Sequence, residues 1–146
     1  MEWHDLSFSQ LSNIQLLKIL ELRAEVFNKE QDSAYPDPDD QDQSARHVFA
    51  TDGGHLSAYA RYFVEDGKAT FGRVVVSPDY RKQGMGRELI RHVLQGIKEH
   101  DGDREILIHA QYYIRHFYAE FGFQEHGQTF MEADRKHIMM THSPLR

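Results

Sequence analysis

The chain has 146 residues, of which 40% are hydrophobic, 12% aromatic and 27% charged, the composition of an ordinary globular protein. Its formal net charge is −6, with 17 Lys and Arg against 23 Asp and Glu, which disfavours nucleic-acid binding by phosphate neutralisation. The absence of cysteine excludes disulfides, thiolate zinc sites and cysteine nucleophiles. No apolar run is long enough to span a membrane and the N-terminus lacks an apolar leader region, so we expect one cytoplasmic domain over residues 1–146 with no membrane partner.

The N-terminal half predicts a strand, a helix and three further strands. The strand covers Glu2–Phe8, and the helix begins at a capping box formed by Ser12 and Gln15 and continues to about Glu30. The following segment, Asp32–Asp42, contains two prolines and five aspartates and therefore predicts a loop, either solvated or able to attract a cationic amine. Glycine-containing turns then separate three strands, His47–Thr51, His55–Val64 and Lys68–Val76.

The C-terminal half predicts two helices and three strands. The first helix follows a loop over residues 77–84, buries an apolar stripe from Leu89 to Ile97 and ends at Asp101. The remaining elements are a strand over Glu105–Ala110, a helix over Tyr112–Phe121 and strands over Phe123–Thr129 and His137–Thr141. This order indicates an α/β (α+β) domain, in which helices flank one central mixed sheet.

The loop that leads into the first of these helices is the strongest candidate for an anion site. Gly84 and Gly86 allow close backbone approach, and the free N–H groups of a helix N-terminus attract anions. Arg81, Lys82 and Arg87 add positive charge, and the Arg81 guanidinium suits bidentate contact with phosphate. The dinucleotide fingerprint and the P-loop pattern are both incomplete here, and glycines that only end a tight turn remain the alternative.

Ten histidines are many for this length, but none has the spacing of a metal site. We expect surface or partly buried roles for them and no bound metal.

Two spaced motifs resemble the GNAT superfamily of N-acetyltransferases. Arg81-x-x-Gly84-x-Gly86 after a strand is similar to the superfamily's acetyl-CoA motif, and the segment Phe117–Phe123 matches its downstream tyrosine and Gly-Phe pair. The segments Leu22–Gln31, Tyr35–His47 and Gly72–Val76 resemble its ElaA-like branch. Gln111 departs from the superfamily's asparagine but agrees with that branch, and it keeps an amide at this position.

The resemblance implies a mostly antiparallel sheet and an acetyl-CoA site between its splayed strands. The pantetheine arm is expected to pair with the edge of the strand that ends in Val74–Val76. A backbone N–H group of this edge is expected to polarise the thioester carbonyl. The pyrophosphate is expected to lie on the amides around Gln83–Arg87. The cofactor-binding residues implied are Val74, Val75, Val76, Arg81, Lys82, Gln83, Gly84, Met85, Gly86, Arg87, Gln111 and Tyr118.

The resemblance also implies direct acetyl transfer to a primary amine of a small molecule or protein, with Tyr118 as the acid that protonates the leaving thiolate. A packed aromatic residue is the alternative for Tyr118, and a non-catalytic acyl-CoA sensor or interaction module is the alternative for the whole chain. Glu30, His47 and His109 are candidates for the base, and a homodimer is compatible with the fold. Candidate acceptor contacts are Arg23, Phe27, Tyr35, His47 and Arg73.

Overall fold

Seven strands form one sheet in the computed structural model, which describes all residues from Met1 to Arg146. In chain order they are β1 (Glu2–Ser7), β2 (Arg46–Asp52), β3 (His55–Glu65), β4 (Lys68–Val76), β5 (Ile106–Gln111), β6 (Gln124–Glu132) and β7 (Arg135–His142). The spatial order is β1-β2-β3-β4-β5-β7-β6, and every neighbouring pair is antiparallel except β4 with β5. The expected mixed, mostly antiparallel sheet is therefore confirmed.

Four α-helices flank the sheet: α1 (Asn13–Arg23), α2 (Gln41–Ser44), α3 (Met85–Asp101) and α4 (Arg115–Ala119). Helix α1 begins at the predicted capping box, since the Gln15 N–H donates to Ser12 Oγ at 3.1 Å and the Ser12 N–H donates to Gln15 Oε1 at 2.9 Å. The chain then winds on as a π-helix over Ala24–Glu30, so the expected end of the helical segment is correct. The helix predicted over Tyr112–Phe121 is shorter in the structure, because Tyr112–Ile114 form a 3₁₀ turn and α4 ends at Ala119.

The sheet separates two apolar cores. The larger core lies on the side of α3 and α4 and contains 17 buried residues, including Ile90, Ile108 and Met140. The smaller core lies under α1 and contains six, including Ile19 and Phe49. Helix α1 therefore packs on the opposite face of the sheet from α3 and α4. None of the helices is long and apolar enough to cross a membrane.

Candidate active site

The candidate site is a cavity where β4 and β5 separate. These parallel neighbours pair at one position only, Ala69 with Ile106, and the rest of each strand has no partner across the gap. A cavity of about 650 Å³ opens there, lined by both strands, by the end of the π-helix and by the β6–β7 hairpin. Its volume lies within the range of small-molecule sites.

A bulge in β4 accompanies this separation. Arg73 has a φ of 51°, in the left-handed region that residues other than glycine adopt rarely, and the pairing of β4 with β3 shifts register beside it. Phe71 packs in the larger core, whereas Val75 packs in the smaller one. Because residues four apart share a face in a regular strand, the bulge reverses the faces of β4 where the strand leaves β5.

Helix α3 directs free amides toward the same end of the sheet. Gly84 precedes the helix with a φ of 78°, and the first intrahelical bond runs from the Glu88 N–H to the Gly84 carbonyl at 3.2 Å. The N–H groups of Met85, Gly86 and Arg87 therefore have no partner in the helix, and their dipoles favour an anion.

The basic side chains Arg81, Lys82 and Arg87 differ in their contacts. Arg81 donates to both carboxylate oxygens of Glu30 at 2.7 and 3.1 Å and to the Val76 carbonyl at 3.1 Å. The two terminal nitrogens with which the Arg81 guanidinium would contact a phosphate therefore bind Glu30 in this structure, in a partly exposed pair. Arg87 pairs with Glu120 at 2.6 Å, whereas Lys82 is exposed and has no carboxylate within salt-bridge distance. Gln83 donates to the Asp79 carbonyl at 3.2 Å and so shapes the loop.

Tyr118 lies on the cavity wall at the α4 side. It is 4% exposed, and its ring packs against Phe71, Phe117 and Phe123 with centroids 5.8, 5.3 and 6.2 Å away. Its hydroxyl makes no hydrogen bond to another protein group. Burial raises the pKa of Tyr118, so the hydroxyl stays protonated at neutral pH, while the same shift makes it a weaker acid.

Gln111, at the end of β5, presents an unsatisfied acceptor. Its Nε2 donates to Gln31 Oε1 at 3.4 Å, while its Oε1 is buried on the cavity wall without any hydrogen-bond donor. A buried acceptor without a partner is costly, and a ligand N–H entering the cavity would satisfy it. The amide groups of a pantetheine arm supply such a donor.

The predicted acceptor contacts divide into two groups. Phe27, Tyr35 and Arg73 lie on the cavity wall. Arg23 and His47 do not reach it, because they are 1% and 0% exposed beneath the acidic loop. Arg23 binds Asp37 and Asp42 there, each at 2.7 Å, while His47 bonds to the Tyr59 hydroxyl and the Asp42 carbonyl. Both residues hold the loop instead of contacting a ligand.

Most aspartates of the acidic loop form salt bridges with arginines. Besides the two that bind Arg23, Asp39 pairs with Arg61 and with Arg73. Burial alone would raise the pKa of Asp42, but hydrogen bonds and charge from Arg23 together with the Asp39 N–H lower it to about 2. The loop is thus neither a solvated charge run nor a free cation trap, because three of its five carboxylates pair with arginines and two of these, Asp37 and Asp42, are buried.

Among the candidate bases, only His109 lines the cavity. Glu30 is bound to Arg81 outside it, and His47 is buried beneath the acidic loop. His109 Nδ1 lies 2.9 Å from Oε1 of Glu132, at the end of β6. Sequence reasoning missed Glu132, since 23 residues separate it from His109 and only the β5-β7-β6 order brings them together.

Comparison with known proteins agrees with this geometry. Residues 13–143 match the profile of the Acetyltransferase (GNAT) domain family. The chain is 33% identical to Protein ElaA of Escherichia coli, over 100% of this chain and 99% of that protein. The crystal structure of Escherichia coli ElaA superposes with a TM-score of 0.92 at 35% identity, covering 97% of this chain and 99% of that one. An acyl-CoA N-acyltransferase from Pseudomonas aeruginosa superposes with a TM-score of 0.93 at 31% identity, over the same shares.

The resemblance to the GNAT superfamily and its ElaA-like branch is therefore confirmed over nearly the whole chain. The chain belongs to the GNAT acetyltransferase family.

Proposed function

We propose that residues 1–146 form one acetyl-CoA-dependent N-acetyltransferase domain that moves the acetyl group directly to a primary amine. The observation that carries this proposal is a single cavity bordered by Val74, Gln111 and Tyr118, at the end of β4 from which the chain continues through a loop to the free amides of α3. Acetyl-CoA supplies an activated thioester when bound. With no cysteine in the chain, transfer proceeds without an acyl-cysteine intermediate.

The residues of the gap suit binding of the acyl-CoA. The unpaired edge of β4 near Val74–Val76 offers backbone groups to the pantetheine arm, and the buried Gln111 Oε1 accepts one of its amide hydrogens. The amides of Met85–Arg87 and the unpaired Lys82 hold the pyrophosphate. Arg81 contributes by fixing the loop to Val76 and Glu30.

Two side chains move protons. Tyr118 donates its hydroxyl proton to the leaving thiolate, and the apolar packing around it leaves that hydroxyl available to a ligand. His109 receives the proton of the attacking amine, since it is the one candidate base that lies on the cavity wall. Phe27, Tyr35 and Arg73 form the wall that the acceptor meets.

Calorimetric titration with acetyl-CoA tests the first half of the proposal. We expect affinity in the micromolar range for the unmodified protein and loss of binding in Gly84→Trp, where a bulky side chain covers the amides of α3. Absence of binding by the unmodified protein would contradict the proposal. Thiol release from acetyl-CoA in the presence of lysine, spermidine, tyramine or glucosamine tests the second half and separates an enzyme from an acyl-CoA-binding module without turnover.

A further inference from the structure

The contact between His109 and Glu132 determines which nitrogen of the imidazole carries the proton. His109 Nδ1 and Glu132 Oε1 are 2.9 Å apart, a hydrogen-bond distance. An ionised carboxylate can only accept a hydrogen bond, so the imidazole must donate from Nδ1–H. In neutral His109, the lone pair then resides on Nε2.

The surroundings of His109 leave Nε2 available. No protein group forms a hydrogen bond with this nitrogen, and the residue lies on the cavity wall. Phe130 packs edge-on against the imidazole with centroids 5.1 Å apart, so the ring is held both by this contact and by Glu132. Alternation along β5 places His109 on the same face as Gln111, whose Oε1 is the unsatisfied acceptor of the cavity.

The neighbouring histidine does not compete for this role. His137 Nδ1 lies 2.8 Å from the Arg135 carbonyl oxygen, an obligate acceptor, and therefore donates to it. Its Nε2 lies 3.8 Å from Glu132 Oε2, beyond hydrogen-bond distance. Glu132 thus makes its one imidazole hydrogen bond to His109.

We propose that Glu132 is a positioning residue for acyl transfer, which holds His109 in the Nδ1–H tautomer so that Nε2 receives the proton of the acceptor amine. This inference rests on the proposed function and deepens it. As the amine nitrogen bonds to the acyl carbon, its proton passes to Nε2, the carbon–sulfur bond breaks, and the thiolate takes the proton of Tyr118. The side chains of His109 and Glu132 are 47% and 48% exposed, so the proton on Nε2 can return to water. Tyr118 lies on the cavity wall and regains a proton from water that enters the cavity after the products leave.

Imidazole ¹⁵N NMR of the full chain tests the tautomer without any acceptor. The His109 signals are assigned by their loss in His109→Asn. We expect the Nδ1–H tautomer in the unmodified protein, a shift toward Nε2–H in Glu132→Leu, and retention of Nδ1–H in Glu132→Gln, whose amide oxygen still accepts. Asp134→Asn is the matched control, because it removes the same charge two residues away, in the same hairpin, from an exposed side chain that bonds to no imidazole.

Kinetics with the most reactive amine of the panel test the consequence. We expect Glu132→Leu to lower kcat about tenfold, a fraction of the roughly 10²- to 10⁴-fold that a positioned acid or base supplies, with unchanged acetyl-CoA affinity. Glu132→Gln should recover part of that loss, and Asp134→Asn should match the unmodified protein. An Nε2–H tautomer in the unmodified protein, or a kcat unaffected by Glu132→Leu, overturns the role of Glu132. Absence of thiol release by the unmodified protein contradicts the proposed function instead.

Discussion

Arg73 and Asp37 join the bulge of β4 to the acidic loop. Arg73 Nε lies 3.0 Å from Asp37 Oδ1, and Arg73 Nη2 donates to the Asp37 carbonyl at 2.8 Å. Arg73 carries the left-handed backbone conformation that bends β4 away from β5, and Asp37 is 6% exposed and also binds Arg23. A strained residue persists only where its surroundings hold it in place. The contacts of Asp37 therefore hold Arg73 in place, and with it the bulge at which β4 leaves β5.

Asp37→Asn should therefore weaken both the fold and the site. We expect a loss of about 3 kcal/mol in the free energy of unfolding, the lower end for breaking a buried ion pair, because Arg23 retains Asp42. Urea denaturation measures this loss, and acetyl-CoA titration should show weaker binding once β4 is less constrained. Asp32→Asn is the control, since Asp32 is exposed in the same loop and forms no salt bridge. Equal effects of the two changes would contradict a special role for Asp37.

His47 should make stability dependent on pH. Burial lowers the pKa of His47 below its ordinary value of 6.5, and the charges of Arg23 and Arg61 add to this effect. The unfolded chain then binds more protons than the folded one below that value, so stability is complete above it and falls as the pH drops. Denaturation near pH 7 and near pH 5 should show a smaller difference in His47→Gln than in the unmodified protein. The exposed His55 provides the control, His55→Gln, whose difference should equal that of the unmodified protein.

Gly84 and Gly67 form a matched pair for testing the anion site. Both have a φ of 78°, and an added Cβ would contact nothing within 4 Å at either position. Replacement by alanine should cost each about 1–2 kcal/mol of stability, from backbone strain alone. Only Gly84→Ala should weaken acetyl-CoA binding, by about tenfold, because the added Cβ lies beside the α3 amides on which we expect the pyrophosphate to bind. Equal affinities in the two variants would contradict the placement of the pyrophosphate.

Glu30 should affect the affinity for acetyl-CoA but not the rate of acetyl transfer. The side chains of Glu30 and Arg81 are 43% and 38% exposed, and a pair so exposed contributes about 0–1 kcal/mol. Glu30→Gln removes a negative charge beside the expected pyrophosphate, so acetyl-CoA should bind up to about fivefold more tightly. Glu21→Gln on α1 serves as the charge-matched control. A loss of turnover at unchanged affinity in Glu30→Gln would restore Glu30 as the base.

Local signals in the sequence predicted most of the elements of this fold. The capping box of Ser12 and Gln15 and the glycines before α3 act over a few residues, so their effects could be anticipated. The downstream motif also placed Tyr118 on a short helix beside the sheet. These features needed no knowledge of which strands become neighbours.

Features that depend on tertiary contacts could not be predicted in the same way. The bulge at Arg73 depends on the register between β3 and β4, and a run ending in three valines gives no sign of it. Arg23 is a predicted acceptor contact but is buried, because the acidic loop folds over it and places Asp37 and Asp42 within hydrogen-bond distance of its guanidinium. Glu132 meets His109 only through the position of β7 between β5 and β6.

The proposed acyl transfer in this cavity depends most directly on the Tyr118 hydroxyl. The most direct measurement compares amine-dependent thiol release from acetyl-CoA by the unmodified protein and by Tyr118→Phe. Because the hydroxyl has no protein partner, the phenylalanine should keep the packing against Phe71 and Phe123 and leave stability and acetyl-CoA affinity unchanged. We predict that kcat falls about 10²- to 10⁴-fold, the usual contribution of a positioned acid. Equal turnover by the two proteins would contradict the account.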